Sequence, residues 1–215
     1  MLIFAKVMGF LYDTLRKTFI RPLGERIHNA QLRKRLRNDQ FTILSPNCIA
    51  GTMYRKLGKE FLTPTINLWM TQGDFIKFAV NLSDYVAMRL VFQQTDKSYP
   101  VAMLGDIQIN FLHYKTEAEA EAAWERRKKR INYDNLYILM YYREGYTLEQ
   151  IREIEKAKCK NLIILTATPL PLDYACCIKP RLHRPNGDSF LDDNIWGTRT
   201  FEKQWDFVDW INSCK

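Results

Sequence analysis

An uninterrupted apolar run, NLIILTAT at residues 161–168, constrains the fold of this 215-residue chain more than any other feature. A strand that is apolar at nearly every position has no solvent-facing side, so it must be covered on both faces. Such strands occur in parallel sheets, whose helical connections lie on both sides. A second apolar strand is predicted at NLYILMYY, residues 135–142. The two runs favour an α/β fold.

Helical patterns alternate with these strands. A short strand, FTIL, precedes a helical segment that Gly58 closes, and an alternating strand is predicted over Ile107–Leu112. Thr116 with Glu119, and Thr147 with Gln150, have the spacing of capping boxes that begin two further helices. The connections are too short for separate domains. We therefore predict an α/β fold with a mostly parallel sheet flanked by helices, as one domain over residues 41–215.

Residues 1–40 differ from the rest of the chain. They hold nine Lys and Arg residues against three acidic residues, so they carry six of the eight excess positive charges. Leu2, Phe4, Val7, Phe10, Leu11, Leu15 and Phe19 follow helical spacing. We predict an amphipathic and basic helical extension. It is too short and too interrupted by Lys6 to span a bilayer, and it lacks the features of a secretory signal.

Two partners fit this extension. An anionic membrane surface would accept an apolar stripe flanked by cations, and it would place a cytoplasmic protein at the inner membrane face. The alternative is a helix that packs on its own domain or on a second subunit of a homo-oligomer. Because the basic charge is confined to this extension and does not spread over the folded body, no nucleic-acid partner is predicted.

The five cysteines, at positions 48, 159, 176, 177 and 214, form no CxxC pair. Their number and spacing favour reduced thiols in a cytoplasmic setting over a disulfide framework or a zinc site. No metal site is predicted. No Rossmann or P-loop glycine motif and no nucleophile-elbow motif occurs, so the sequence identifies no cofactor.

Cys48 and His113 are the candidate catalytic residues. Cys48 is predicted at the N-terminus of a helix, where the dipole and free N–H groups lower a thiol pKa. His113 is predicted at the end of a strand, where ligand-binding groups collect in a parallel sheet. If both lie at one edge of the sheet, they can form a thiolate–imidazole pair. A buried packing cysteine and a strand-end histidine are the alternative. Their neighbours Asn47 and Tyr114 are predicted to contact substrate.

A second candidate site is WERRKKRINYDN at residues 124–135. Arg126 and Arg130 are four residues apart and share a helix face, and Asn132 and Asp134 follow in the turn. Paired guanidinium groups can bind phosphate or carboxylate at two points. A charged helix end that favours the dipole is the alternative.

Four strings, SPNCIAGTMYRKLG, TPTINLWM, FLHY and WERRKKRINYDN, carry a resemblance. Together they resemble a bacterial domain-of-unknown-function family labelled "exopolysaccharide biosynthesis protein", over about residues 41–212. The resemblance implies a role in the synthesis of surface polysaccharide. It implies no established reaction and no established catalytic residues.

Three functions are consistent with these observations. The first is group transfer onto a sugar or lipid-linked glycan. The arginines would hold a sugar nucleotide or glycan intermediate, and His113 would act as the base. A transferase is favoured over a hydrolase. The second is a Cys48–His113 hydrolase or acyltransferase. The third is a non-catalytic binding or scaffold module of the assembly machinery.

Overall fold

The computed structural model describes residues 8–9, 13–142, 146–179 and 192–213. Within them, four parallel strands form the main sheet in the order β1-β5-β6-β7. These strands are β1 Thr42–Leu44, β5 Leu136–Tyr141, β6 Asn161–Thr166 and β7 Ala175–Cys177. The predicted α/β fold class, with its mostly parallel sheet and flanking helices, is confirmed. Both apolar runs are strands, and every residue of β5 is buried.

Three further strands form a separate antiparallel sheet in the order β2-β3-β4. They are β2 Val91–Gln93, β3 Val101–Leu104 and β4 Ile107–Asn110. Strand β4 was predicted to reach Leu112. It ends two residues earlier and does not belong to the parallel sheet. The reason is a tight turn after Leu104, in which Gly105 has a φ of +61° that returns the chain antiparallel to itself.

Seven α-helices can be numbered along the described chain. They are α1 Arg21–Arg35, α2 Ile49–Leu57, α3 Gln72–Val80, α4 Leu82–Ala87, α5 Glu117–Lys128, α6 Leu148–Arg152 and α7 Phe207–Asn212. A π-helical stretch, Arg16–Ile20, runs directly into α1, and 3-10 turns cover Tyr133–Asn135, Glu153–Lys156 and Phe201–Lys203. Thr147 and Gln150 form the predicted capping box. The second predicted box is incomplete: the Thr116 side chain caps α5, but the Glu119 carboxylate accepts from the N–H of Lys115 and not from that of Thr116.

The hydrophobic core lies on both faces of the parallel sheet. Alternate residues of β5 point to opposite sides: Leu136, Ile138 and Met140 pack on one face, and Tyr137, Leu139 and Tyr141 on the other. The first face is covered by α3, α5, α6 and the antiparallel sheet, and the second by α2, α7 and Leu32 of α1. This arrangement explains why the central strands are apolar at every position.

In the N-terminal extension the described residues 8–9 and 13–35 are helical, whereas residues 36–40 are not. Leu15 and Phe19, two of the predicted apolar stripe, are exposed. The earlier members, Leu2, Phe4, Val7, Phe10 and Leu11, lie outside the described residues. Within the part of the chain described, no helix is long and apolar enough to cross a bilayer. The division of the chain at residue 40 stays a prediction.

Candidate active site

Cys48 lies where the chain leaves the parallel sheet and enters α2. Strand β1 ends at Leu44, and Cys48 is the N-cap residue of the helix. The cap bond comes from the preceding residue: the Asn47 carboxamide oxygen accepts from the N–H of Ile49 at 3.0 Å. The Cys48 side chain makes no cap bond, so its sulfur stays available at the first turn. Asn47, predicted to contact substrate, therefore has a structural role in holding this turn.

His113 approaches Cys48 from the second sheet. It follows β4 in the loop between Phe111 and Tyr114, where the Tyr114 N–H donates to the Phe111 carbonyl at 3.0 Å. Phe111 is buried, and its ring packs edge-on against that of Tyr114. His113 itself is exposed, and its Nε2 atom lies 3.3 Å from the Cys48 sulfur. The two predicted catalytic side chains are thus in hydrogen-bond contact.

A short extended segment explains why these two distant residues meet. The Trp69 N–H and carbonyl exchange hydrogen bonds with Asn110, at 2.8 and 2.9 Å, at the end of β4. The next residue, Met70, donates its N–H to the carbonyl of Pro46 at 3.1 Å. Residues 69 and 70 therefore tie the strand that leads to His113 to the loop that leads to Cys48.

Threonines of the TPT string support the same loop from behind. The Thr65 hydroxyl accepts from the N–H of Ser45 at 3.1 Å, and it lies 3.1 Å from the Thr63 hydroxyl. Both threonines are fully buried. A hydroxyl that pairs with a buried backbone N–H at the end of β1 fixes where the loop turns. The TPT string thus helps to position Cys48, which sequence reasoning did not foresee.

The Cys48 thiol is half-buried, and burial raises its pKa above the ordinary thiol value, with the positive charge of Arg55 opposing that effect. The sequence predicted a lowered pKa from the helix N-terminus, and that prediction is wrong. Loss of solvent around the sulfur is the largest effect on this thiol, and the charge of Arg55 offsets it only in part. At neutral pH the resting Cys48 thiol is therefore protonated.

A small cleft lies beside the loop that leads to Cys48. A cleft of about 20 Å³, lined by Pro46, Asn47, Trp69, Met70, Gln72 and Tyr141, adjoins the start of α2. That volume holds about one water molecule. Neither Cys48 nor His113 lines this cleft, which could receive only a small group.

The Tyr114 side chain is half-buried, and the protein itself occupies its hydroxyl group. Its hydroxyl donates to the carbonyl of Ile66 at 3.2 Å and accepts from the Arg127 guanidinium. Arg127 is buried, donates to the same carbonyl at 3.2 Å and lies over the Phe61 ring at 5.4 Å. Burial raises the Tyr114 pKa, although Arg127 opposes this, so the phenol keeps its proton. Tyr114 and Arg127 anchor the loop that carries His113.

The second candidate site is built differently. Arg126 is exposed, and Arg130 pairs with Glu60 at 2.7 Å. Asn132 caps the following turn through the N–H of Asp134 and donates to the carbonyl of Gln40 at 2.7 Å. Asp134 is exposed.

This second group precedes β5, whereas Cys48 follows β1. Because these two strands pair in parallel, the start of one and the end of the other lie at opposite edges of the sheet. The structure therefore does not bring the INYDN turn, residues 131–135, together with the thiol–imidazole pair. Within the described residues, no group of three or more His, Cys, Asp or Glu side chains is placed to hold a metal ion.

The fold and the site together define a class: a mixed α/β protein with a thiol–imidazole pair beside its parallel sheet. The chain belongs to the family described as Domain of unknown function (DUF1919), whose model matches residues 20–212. It is also similar to an uncharacterized protein of Haemophilus influenzae, with 34% identity over 186 residues that cover 86% of this chain and 90% of that protein.

Proposed function

We propose that this protein is a cysteine-dependent acyl-transfer enzyme, either a hydrolase or an acyltransferase, in which Cys48 is the nucleophile and His113 the general base. The observation that carries the proposal is the 3.3 Å contact between the Cys48 sulfur and Nε2 of His113. A nucleophile within hydrogen-bond reach of a base is the arrangement that covalent catalysis requires. His113 is exposed, so the imidazole can exchange protons with solvent between turnovers.

The raised pKa of Cys48 defines what His113 must do. A thiol that is protonated at neutral pH is a weak nucleophile, so its proton has to leave as it attacks. His113 Nε2 accepts that proton while the sulfur bonds to the acyl carbonyl carbon of the substrate. The bond to the leaving group then breaks, and the imidazolium returns the proton to that group.

The second half of the reaction regenerates the enzyme. A water molecule, or a hydroxyl of an acceptor, gives its proton to His113 Nε2 and attacks the thioester carbon. The carbon–sulfur bond breaks, and the proton passes from the imidazolium to the Cys48 sulfur. Water as acceptor makes the protein a hydrolase, and a sugar hydroxyl makes it an acyltransferase.

The role in surface-polysaccharide synthesis is a proposal about the substrate, and the resemblance of the sequence strings supports it. An acyl group on a sugar or on a lipid-linked glycan would satisfy both that role and the chemistry of Cys48. Transfer of a glycosyl group clamped by Arg126 and Arg130 has less support, because Arg126 is exposed and Arg130 pairs with Glu60. Location at the inner membrane face is also a proposal, and it concerns the N-terminal helix.

A simple activated ester tests the catalytic proposal. The protein is mixed with p-nitrophenyl acetate, quenched in acid, and its intact mass and modified peptide are determined by mass spectrometry. We expect one acetyl group, located on Cys48, and none there in Cys48→Ala. Cys177→Ala is the matched control, because Cys177 is the more exposed thiol and should be dispensable. Acetylation spread over several cysteines, or unchanged release of p-nitrophenol by Cys48→Ala, would overturn the proposal.

A further inference from the structure

The N-terminal helix carries an apolar stripe that the rest of the described protein leaves uncovered. Leu15, Phe19, Leu23 and Ile27 are spaced by four residues, and each is between 50% and 65% exposed. Residues at this spacing lie along one side of a helix. Four large apolar side chains in one row are an unusual feature of a free surface, and such rows mark contact sites.

The opposite side of the same helix is fastened to the protein body. Arg16 and Arg21 both pair with Asp193, at 3.4 and 2.7 Å. Gly24 allows the helix to approach the 192–200 segment closely, since a Cβ atom there would lie 2.5 Å from the Trp196 carbonyl oxygen. The arginines expected to flank a membrane-facing stripe therefore bind the body, and they orient the stripe outward.

The charges beside the stripe are positive. Arg26 lies between Leu23 and Ile27 on the exposed side, and Lys34 continues that side of the helix. Neither forms an ion pair among the described residues. Glu25 is turned to the side and pairs with Arg21 at 2.9 Å. The outward face thus combines apolar side chains with cations that have no carboxylate partner in the part of the chain that the structure describes.

We propose that this face binds the surface of an anionic lipid bilayer, with the helix lying in the plane of the membrane. From Leu15 to Ile27 the described part of the stripe is at most about 18 Å long, at about 1.5 Å per residue of α-helix. Because the other side of the helix is bound to the protein body through Arg16 and Arg21, the helix would lie along the surface and not cross it. Arg26 and Lys34 would contact lipid phosphates.

The charge distribution favours lipid over a second copy of the chain. In a two-fold dimer built on this stripe, Arg26 of each copy would meet the same cationic face of the other. Asp13, the exposed acidic residue near the stripe, already pairs with Lys17 of its own helix. Like charges opposite each other oppose association, whereas an anionic surface neutralises them.

Vesicle co-sedimentation tests this surface with the full chain. Vesicles of phosphatidylglycerol and phosphatidylcholine are compared with vesicles of phosphatidylcholine alone. We expect the wild type to pellet with the anionic vesicles, more weakly as salt rises, and Phe19→Glu/Leu23→Glu to bind at least tenfold more weakly. Val91→Glu is the matched control: Val91 is also exposed, at 58%, but lies on β2. It should bind as the wild type does.

The double variant changes two exposed side chains, so it should keep the wild-type melting temperature. If its melting temperature falls, Leu15→Glu/Ile27→Glu replaces it in the vesicle experiment. Equal pelleting of wild type and variants, or none by any protein, would overturn the proposal. So would a wild-type dimer in light scattering that the variants convert to a monomer without loss of vesicle binding. The same variants should keep the wild-type rate of p-nitrophenyl acetate cleavage, which separates this surface from the catalytic proposal.

Discussion

The two edges of the parallel sheet hold the two sites that the sequence suggests, and they differ in what their polar groups do. At the edge after β1, the Cys48 sulfur and the His113 ring contact each other and remain accessible. At the edge before β5, Asn132 bonds to Gln40 and to the next turn, and Arg130 to Glu60. The first edge has reactive groups held in place by other residues, whereas the second uses its own polar groups to hold the fold.

This difference shows why residue type alone does not define a site. A polar side chain whose hydrogen bonds are satisfied internally has little left to offer a ligand. Cys48 is different because Asn47, Thr65 and the Trp69–Met70 segment make the structural bonds around it. A functional group supported by neighbours, and not itself consumed, is the pattern expected of an active site.

Replacement of Arg127 by methionine should produce the largest loss of stability around the active-site loop. The buried guanidinium bonds Ile66 and Tyr114, and a hydrogen bond from a charged group contributes about 2 kcal/mol. We expect the free energy of unfolding to fall by about 2 kcal/mol in urea titrations. Arg126→Met is the matched control, because Arg126 is exposed and should change stability by about 0.5 kcal/mol or less. Equal effects of the two variants would contradict the assignment of Arg127 as the anchor.

Replacement of Asn132 by alanine should have a smaller effect, confined to stability. It removes a turn cap and the bond to Gln40, and the loss of a cap costs about 1 kcal/mol. The rate of p-nitrophenyl acetate cleavage per folded molecule should stay unchanged. A variant that keeps the wild-type melting temperature but loses activity would show that the INYDN turn takes part in the active site. The distinction between the two edges of the sheet would then be wrong.

The smallest expected effect is a change in the rate of Cys48 alkylation with pH. It tests whether the pKa of the Cys48 thiol is raised. Burial raises that pKa, so the thiolate fraction is low at neutral pH and grows as the pH rises. The rate of Cys48 modification by iodoacetamide, followed by peptide mass spectrometry, should still be increasing above about pH 8.5, the ordinary thiol value. A rate that is already maximal below pH 7 would show a resting thiolate instead.

Much of the fold could be predicted because its signals are local. Strands β5 and β6 are long apolar runs, and α5 begins at a capping threonine. Strands β2 and β3 were missed. Strand β2 is three residues long and its outer residues are exposed, so it carries no apolar pattern, and the turn at Gly105 was not recognised.

The pairing of Cys48 with His113 was predicted from an incorrect premise. His113 was expected at the end of a parallel strand, but it follows an antiparallel one, and the contact depends on long-range bonds of Trp69 and Met70. The importance of Arg127 could have been read from α5. Ala120, Ala123 and Trp124 form its buried face, and Arg127 occupies the next position on that face.

A double-mutant cycle on Cys48 and His113 tests the central claim, that the two side chains act as one catalytic unit. The rate of p-nitrophenyl acetate cleavage is measured for wild type, Cys48→Ala, His113→Ala and the double variant. We expect His113→Ala to lower the rate by about 10²–10⁴-fold in the wild-type protein. In the Cys48→Ala background the same change should have almost no effect, because groups that act together are not additive. Equal fold-changes in both backgrounds, or an unchanged rate in His113→Ala, would contradict the account.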